Sequence, residues 1–356
     1  MKPSVTTSII MKTLTWSRDS HGLFDYESRQ VNKQYLTCKG SVHISRHANS
    51  VELSSSVKNS CDEDFRQLAY LEESEQNYFL KPREPENLWL VVRSIRGDNI
   101  PSGFVIGEGD VIKLGRVKYR VAELKGLDEP KTAESLETTS DSSPEEEEVD
   151  SEITCKVCLY GGSSKENPLI TPCYCSGTMK YIHLGCLRGW IKSGLSVMQT
   201  ENSTSYFWKT AECEICKYAL PMKFHAHGKP FDLFYIEKPN VPYIILEGIA
   251  RERSNNRGIH VIMLTNKCTV KLGRGHDSDV RISDISVSRC HAIIKYTDGQ
   301  FVLEDNNSKF GTLIQVQDKF EIQPDSSVAV QIGRTVISLC AKSETPISEE
   351  DMDLEQ

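Results

Sequence analysis

The stretch CKVCLYGGSSKENPLITPCYCSGTMKYIHLGCLRGW, residues 155–190, followed by CEIC at 213–216, decides the reading of this chain. It holds seven cysteines and one histidine in four pairs: Cys155-x2-Cys158, Cys173-x-Cys175, His183-x2-Cys186 and Cys213-x2-Cys216. Thiolates one to three residues apart reach a single ion from a tight turn, so each pair is half a site, and four pairs suffice for two tetrahedral Zn²⁺ sites. The segment IHLGCLRGWIKSG reads as a helix. His183 and Cys186 then stand one turn apart on one face. Leu184, Leu187 and Ile191 form an apolar stripe, and Gly194 is the stop. Neighbouring pairs could share an ion, giving sites in series. Alternate pairs could share instead, giving interleaved sites that pin one small domain. Spacing alone does not choose.

Working outward, the 356 residues allow two or three domains, and a hydrophobic fraction of 38% suits folded modules joined by polar segments. No apolar run approaches the roughly 18–20 residues that span a bilayer. The start, MKPSVTTSIIMKTLTW, lacks the apolar core of a secretory signal. These readings place the chain in the cytoplasm or nucleus and not outside the cell. There, spaced cysteines mean metal and not disulfides. Cys38, Cys61, Cys268, Cys290 and Cys340 show no pairing pattern and read as ordinary small, mostly buried residues.

The net charge of −8 is uneven. Residues 128–152 carry eleven acids and one base, and 343–356 carry six acids and no base, which leaves about +8 for the rest. That remainder suits an anionic ligand. The acidic runs argue against nucleic acid as a partner. The expected organisation is a β-rich region at 1–125, an acidic disordered linker at 126–152, the zinc domain at 153–222, a β-sandwich at 243–341 and an acidic disordered tail at 342–356.

In the first region, Val5 to Trp16 and Gln34 to Ile44 alternate weakly. LWLVV at 88–92 and GFVIGEGDVIKLGRVKYRV at 103–121 are firmer strand signals. Gly107 and Gly109-Asp110 read as hairpin punctuation. KLGR occurs at 113–116 and 271–274, while GDVIKLGRVKYRV also aligns with SSVAVQIGRTVISL at 326–339. The two alignments conflict. Either makes the first region a degenerate copy of the last domain.

The ligand order, with C-x-C as the second pair and seven residues before His183, resembles the RING-CH family of ubiquitin ligases. CKVCL at 155–159, HLGCLRGW at 183–190 and CEICKY at 213–218 are close to its consensus. PHD fingers share the ligand order but carry C-x2-C at the second pair and a Trp where this chain has Ala211. The resemblance implies cross-brace ligation. Cys155, Cys158, His183 and Cys186 would hold one Zn²⁺, and Cys173, Cys175, Cys213 and Cys216 the other. Both sites are then closed and structural, with no catalytic residue. It also implies docking of a ubiquitin-conjugating enzyme through Val157 and Trp190, with Lys217 bridging to ubiquitin.

KLGRGHDSDVRISDISVSRCHAIIKY at 271–296 and FVLEDNNSKFGTLI at 301–314 form a second constellation. The short apolar runs YIIL, HVIML, HAIIKY, FVLED and VISL between turn residues suit a sandwich, whose loops gather at its ends. Arg274, Ser288, Arg289 and Lys309 offer a guanidinium fork, a hydroxyl and further cations, the groups a phosphate dianion needs. The segment resembles the forkhead-associated (FHA) domain, a phosphothreonine-binding module. Carried over, Arg274 and Ser288 contact phosphate, Arg289 and Lys309 assist, and Gly273, His291 and Gly311 brace the loops. Phe310 stands where many members have an Asn that holds the peptide backbone. The functional expectation is a soluble RING-CH ubiquitin-protein ligase that recruits phosphothreonine proteins. The alternative is a non-catalytic phospho-dependent adaptor with a structural zinc module.

Overall fold

The computed structural model describes residues 6–18, 22–58, 61–75, 77–84, 87–94, 103–126, 153–209, 212–218, 220, 223–226, 229–233, 236–249, 256–264, 269–324 and 327–344. The expected linker from residue 127 to 152 and the expected tail from 345 lie outside these.

The first part of the chain supplies β1 (Thr6–Trp16), β2 (Val31–Cys38), β3 (Val42–His47), β4 (Ser50–Ser54), β5 (Phe65–Ser74), β6 (Asn77–Pro82), β7 (Leu88–Val91), β8 (Phe104–Val105), β9 (Val111–Leu114) and β10 (Val117–Lys125). The middle supplies β11 (Leu169–Ile170), β12 (Ile182–His183), α1 (Leu184–Ser193), β13 (Ser196–Gln199), β14 (Ser203–Lys209), β15 (Lys223–Ala226), β16 (Lys229–Asp232), β17 (Tyr243–Gly248) and β18 (Asn256–Met263). The last part supplies β19 (Thr269–Gly273), β20 (Val280–Arg281), β21 (Ala292–Thr297), β22 (Gln300–Asp305), β23 (Thr312–Gln315), β24 (Phe320–Ile322), β25 (Ser327–Ile332) and β26 (Thr335–Glu344).

These elements fall into two compact units. Met1–Leu124 joins Leu264–Gln356 in one, and Lys125–Met263 forms the other. The strands expected of 1–125 and those from 269 onward therefore share sheets, and β17 pairs with β18.

In the first unit, strands run β10-β9-β23-β7-β25-β26-β1-β2 across one antiparallel sheet. Two five-stranded sheets accompany it, ordered β20-β19-β21-β22-β8 and β24-β6-β5-β3-β4. The orders match strand for strand, with β3, β5 and β6 in the places of β19, β21 and β22. Each half gives its last three strands to the other. β8 pairs with β22 and β9 with β23, whereas β24 pairs with β6 and β25 with β7. The structure thereby chooses between the two repeat alignments. The β9–β10 hairpin turns at Gly115 (φ 58°) and the β25–β26 hairpin at Gly333 (φ 57°), both in the left-handed region that glycine enters without steric cost. The repeat is the one that aligns GDVIKLGRVKYRV with the final hairpin. Leu272, Ile294, Leu303, Leu313, Val330 and Ile337 are buried. β21 shows the period-two burial of a strand with one face on a core, whereas β22, β23 and β25 are buried in continuous runs.

The halves differ at the connection between their first two sheet strands. β19 and β20 pair in parallel across the loop that holds Arg274. β3 and β4 instead form a tight antiparallel hairpin through Ala48 (φ 50°). Among the described residues the first half has no equivalent of the Arg274 loop.

In the second unit, β13, β14, β18 and β17 form an antiparallel run. The β13–β14 hairpin lies between the ligands Cys186 and Cys213. Its pairing with β18 ties the zinc segment to a sheet built from 243–263. Tyr243, Ile245, Ile259 and Val261 form the core there.

Candidate functional site

The eight predicted ligands come together in two groups: Cys155, Cys158, His183 and Cys186, and Cys173, Cys175, Cys213 and Cys216. Within each, the donor atoms all lie within 4.8 Å of one another. Alternate pairs share a site, so the arrangement is interleaved. Two tight turns with the same geometry present one C-x2-C pair to each group. Leu159 N–H donates to the Cys155 carbonyl at 2.9 Å and Lys217 N–H to the Cys213 carbonyl at 2.9 Å. Leu159 (φ 63°) and Lys217 (φ 58°) accept the left-handed backbone these turns need.

α1 is amphipathic as read, but it starts at Leu184, and His183 stands just before it as the N-cap residue at the end of β12. Leu184, Leu187 and Ile191 are buried with Ile170, Ile182, Leu220 and Leu233, and Gly194 caps the helix with its N–H on the Ile191 carbonyl. This small core aims His183 and Cys186 at the first group. His183 Nε2 lies 2.7 Å from the Gly162 carbonyl, and Nδ1 lies 3.3 Å from Cys158 Sγ. With Nε2 donating to that carbonyl, Nδ1 is the free lone pair turned toward the thiols.

The residues fit zinc. Cys175 Sγ and Cys213 Sγ are 3.6 Å apart. Two thiolates on a tetrahedral ion with bonds of roughly 2.3 Å would be separated by about 3.8 Å. Burial pushes the Cys155 thiol up, but backbone N–H groups of Cys158, His183 and Val157 outweigh it and bring it down to about 6. Burial acts likewise on Cys213, and the N–H groups of Cys216 and Ile215 help bring it to about 6. Thiolates are the form a metal binds.

Around the ligands runs an apolar groove of about 200 Å³. Val157 (53% exposed) and Trp190 (36%) line it, as the sequence placed them. Ile215, Met179 and Pro172 line it too and were not singled out. Ile215 could have been found, because it holds the same position in C-E-I-C that Val157 holds in C-K-V-C. Lys217 is exposed beside the last ligand.

The second predicted constellation converges on Ser288. Arg274 N–H donates to the Ser288 carbonyl at 2.9 Å, and Lys309 N–H donates to Ser288 Oγ at 3.1 Å. Arg274 Nε donates to the Val287 carbonyl at 3.2 Å, and the Arg274, Arg289 and Lys309 side chains are exposed. His291 is buried between the loops. Its Nδ1 accepts the Ser288 N–H at 3.0 Å and its Nε2 donates to the Gly311 carbonyl at 3.1 Å. Burial holds its pKa below the usual histidine range, so the ring is neutral and bridges as one donor and one acceptor. Gly273 lets β19 pass close to the loop, since a Cβ there would stand 2.1 Å from the Arg289 carbonyl oxygen.

Sequence reasoning missed the support for the 305–312 loop. Asp305, with a fully buried side chain, accepts from Thr312 N–H at 3.0 Å and Thr312 Oγ1 at 2.7 Å, and from Ser308 Oγ. Arg93, from the first half of the chain, pairs with it at 3.0 Å. Nothing local in either sequence announces that pairing.

Comparison with known proteins agrees with these two centres. A RING-variant domain model matches residues 155–216, and an FHA domain model matches 270–337. The chain carries a RING-variant domain and an FHA domain. Similar curated proteins include the E3 ubiquitin-protein ligase MARCHF7 of Rattus norvegicus, 26% identical over 204 residues, which are 55% of this chain and 25% of that protein. The E3 ubiquitin-protein ligase MARCHF1 of Homo sapiens is 39% identical over 69 residues, 19% of each chain. The chain thus spans about a quarter of the length of the MARCHF7 relatives it matches. A solved structure described as a structural and functional analysis of phosphothreonine-dependent FHA domain interactions is 24% identical. It covers 24% of this chain and 86% of that chain, with a TM-score of 0.15.

The MARCHF relatives correct one expectation. The sequence placed the chain in the cytoplasm or nucleus, but the MARCHF relatives are membrane-associated ligases, so that placement does not stand. Among the described residues no helix is long and apolar enough to cross a membrane. A missing span does not fix a compartment, which is why the inference failed.

Proposed function

We propose that this chain is a RING-CH-type ubiquitin-protein ligase whose FHA domain selects phosphothreonine proteins as substrates. The observation that carries the reading is the exposed apolar groove of Val157, Trp190 and Ile215 beside two closed Cys/His groups. Each group would hold one Zn²⁺, in the divisions Cys155, Cys158, His183, Cys186 and Cys173, Cys175, Cys213, Cys216. All four positions of each ion are filled by side chains, so zinc supplies fold stability, roughly 10 kcal/mol or more per site, and no open position for chemistry.

The chain's own residues then act by position. Val157 and Trp190 hold a ubiquitin-conjugating enzyme by burying apolar surface. Lys217 contacts the joined ubiquitin. No covalent intermediate forms on this chain, because the acceleration comes from ordering a thioester and a substrate amine into attack geometry. At the other centre, Arg274 and Ser288 hold the phosphate and Arg289 and Lys309 add charge, while Gly273, His291 and Gly311 keep the loops in register. Hydrogen bonds to a charged group contribute roughly 1.5–3 kcal/mol each, which a plain threonine cannot recover.

The test is autoubiquitination by the full chain across a panel of conjugating enzymes, with and without a phosphorylated substrate. Transfer with at least one enzyme supports the ligase reading. No transfer with any of them, alongside retained phosphopeptide binding, makes the chain an adaptor.

A further inference from the structure

The Lys309 ammonium is engaged by a carboxylate from the opposite end of the sequence. Asp25 Oδ2 lies 3.4 Å from Lys309 Nζ, with the Asp25 side chain only 14% exposed and that of Lys309 48% exposed. The acid is held in place from several sides. Its Oδ1 accepts the Glu27 N–H at 3.0 Å, and the Tyr26 N–H donates to the Lys309 carbonyl at 3.0 Å. The Arg93 guanidinium stacks 4.3 Å from the centre of the Tyr26 ring, and a Cβ on Gly311 would stand 2.7 Å from that ring. The backbone beneath Asp25 is therefore fixed beside Lys309.

Lys309 is also tied to the phosphate-facing Ser288, whose Oγ accepts its N–H. One ammonium cannot fully compensate both a phosphate dianion and Asp25. A mostly buried carboxylate that loses its cation is costly. The ligand that suits the site best brings a cation of its own, and an acidic flank would set like charges together. We propose that Asp25 makes this a site for phosphothreonine peptides that carry a lysine or arginine close to the phosphorylated residue. The proposal rests on the phosphothreonine reading of the FHA loops. It adds a specificity-determining residue from outside the segment that the FHA model matches.

Fluorescence anisotropy on the full-length chain tests it, with phosphorylated and unphosphorylated threonine peptides in which lysine, norleucine or glutamate is placed at each flanking position in turn. Wild type should prefer lysine over norleucine at one position by about fivefold, the scale of a partly exposed ion pair. Asp25→Asn, nearly isosteric, should erase that preference while keeping the preference for phosphothreonine over threonine. Asp25→Glu should keep the lysine preference, and Asp25→Lys should turn it toward glutamate. If wild type shows no flank preference, or if Asp25→Asn retains it, the role of Asp25 is overturned and the phosphate reading stands. If phosphorylated and plain peptides bind alike, both readings fall.

Discussion

Lys113 and Gln331 donate to the same carbonyl oxygen. Lys113 Nζ lies 3.1 Å and Gln331 Nε2 3.2 Å from the Gly22 carbonyl. They hold equivalent places in the two exchanged hairpins, each two residues before the turn glycine, Gly115 or Gly333. Their strands flank the central β23–β7 pair. Gln331 Oε1 also accepts the Tyr26 hydroxyl at 3.1 Å, so the pair links both hairpins to the segment that carries Asp25.

Gln331→Leu should therefore destabilise the first unit by about 1–3 kcal/mol, because it leaves the buried Tyr26 hydroxyl without its acceptor and Gly22 with one donor fewer. Urea unfolding checks this. A change within 0.5 kcal/mol, roughly the size of an ordinary surface substitution, would mean that the Gly22 carbonyl has no structural importance.

Zinc content is predicted at two ions per chain. Cys158→Ser and Cys175→Ser should each remove about one, measured by atomic emission on the purified full chain. Chelator should melt the zinc segment. Loss of both ions from a single substitution would contradict two separately closed groups.

Trp190→Ala should reduce ubiquitin transfer by about thirtyfold or more while zinc content stays at wild type, as expected for an aromatic anchor in a docking groove. Ile215→Ala should weaken transfer in the same direction. Transfer at wild-type rate in Trp190→Ala would move the docking face elsewhere.

Arg274→Ala should weaken phosphothreonine-peptide binding by about thirty- to a hundredfold, the equivalent of roughly 2–3 kcal/mol. His291→Ala should act mainly on stability, since the ring bridges Ser288 N–H and the Gly311 carbonyl. Calorimetry separates the two, by affinity in the first case and by Tm in the second.

His260 gives the second unit a pH dependence. It is buried in β18 with Nδ1 2.7 Å from Ser205 Oγ and Phe207 edge-on to its ring, and burial lowers its pKa to about 4. The unfolded chain takes up that proton near the ordinary value of about 6.5. Between these values the unfolded state binds more protons, so stability falls as pH falls from about 6.5 to about 4, by roughly 3 kcal/mol at full extent. In His260→Gln that part of the slope should vanish, as read by urea unfolding across the window. An unchanged slope would assign the effect to other groups.

The zinc groups were legible because ligand identity and spacing are local facts, and so was α1, whose apolar stripe and Gly194 stop lie within one short segment. The loops that converge on Ser288 were legible for the same reason. What was not legible depends on long-range choice. The strands β9–β10 and β25–β26 carry the same local pattern, so nothing near either hairpin says which half it completes. Arg93 meets the 305–311 loop because β7 pairs with β23, and Asp25 comes from the β1–β2 connection, so both contacts join residues far apart in the sequence. The β13–β14 hairpin was missed because β13 is exposed throughout and the buried Ser203 and Ser205 of β14 are polar, so neither strand carries an apolar alternation, and its place is fixed by pairing with β18.

The exchange of hairpins has a consequence for synthesis on the ribosome. The strand β1 and the strand β7 wait for β25–β26, which emerge about 200 residues after β10 ends. At roughly 5–20 residues per second that delay is about 10–40 s. Throughout it, the nascent first half carries unpaired strand edges, the template for wrong pairing. Its own β9–β10 hairpin, so like the missing one, is the nearest occupant, and a chain that closes on it early must reopen before the finished fold can form.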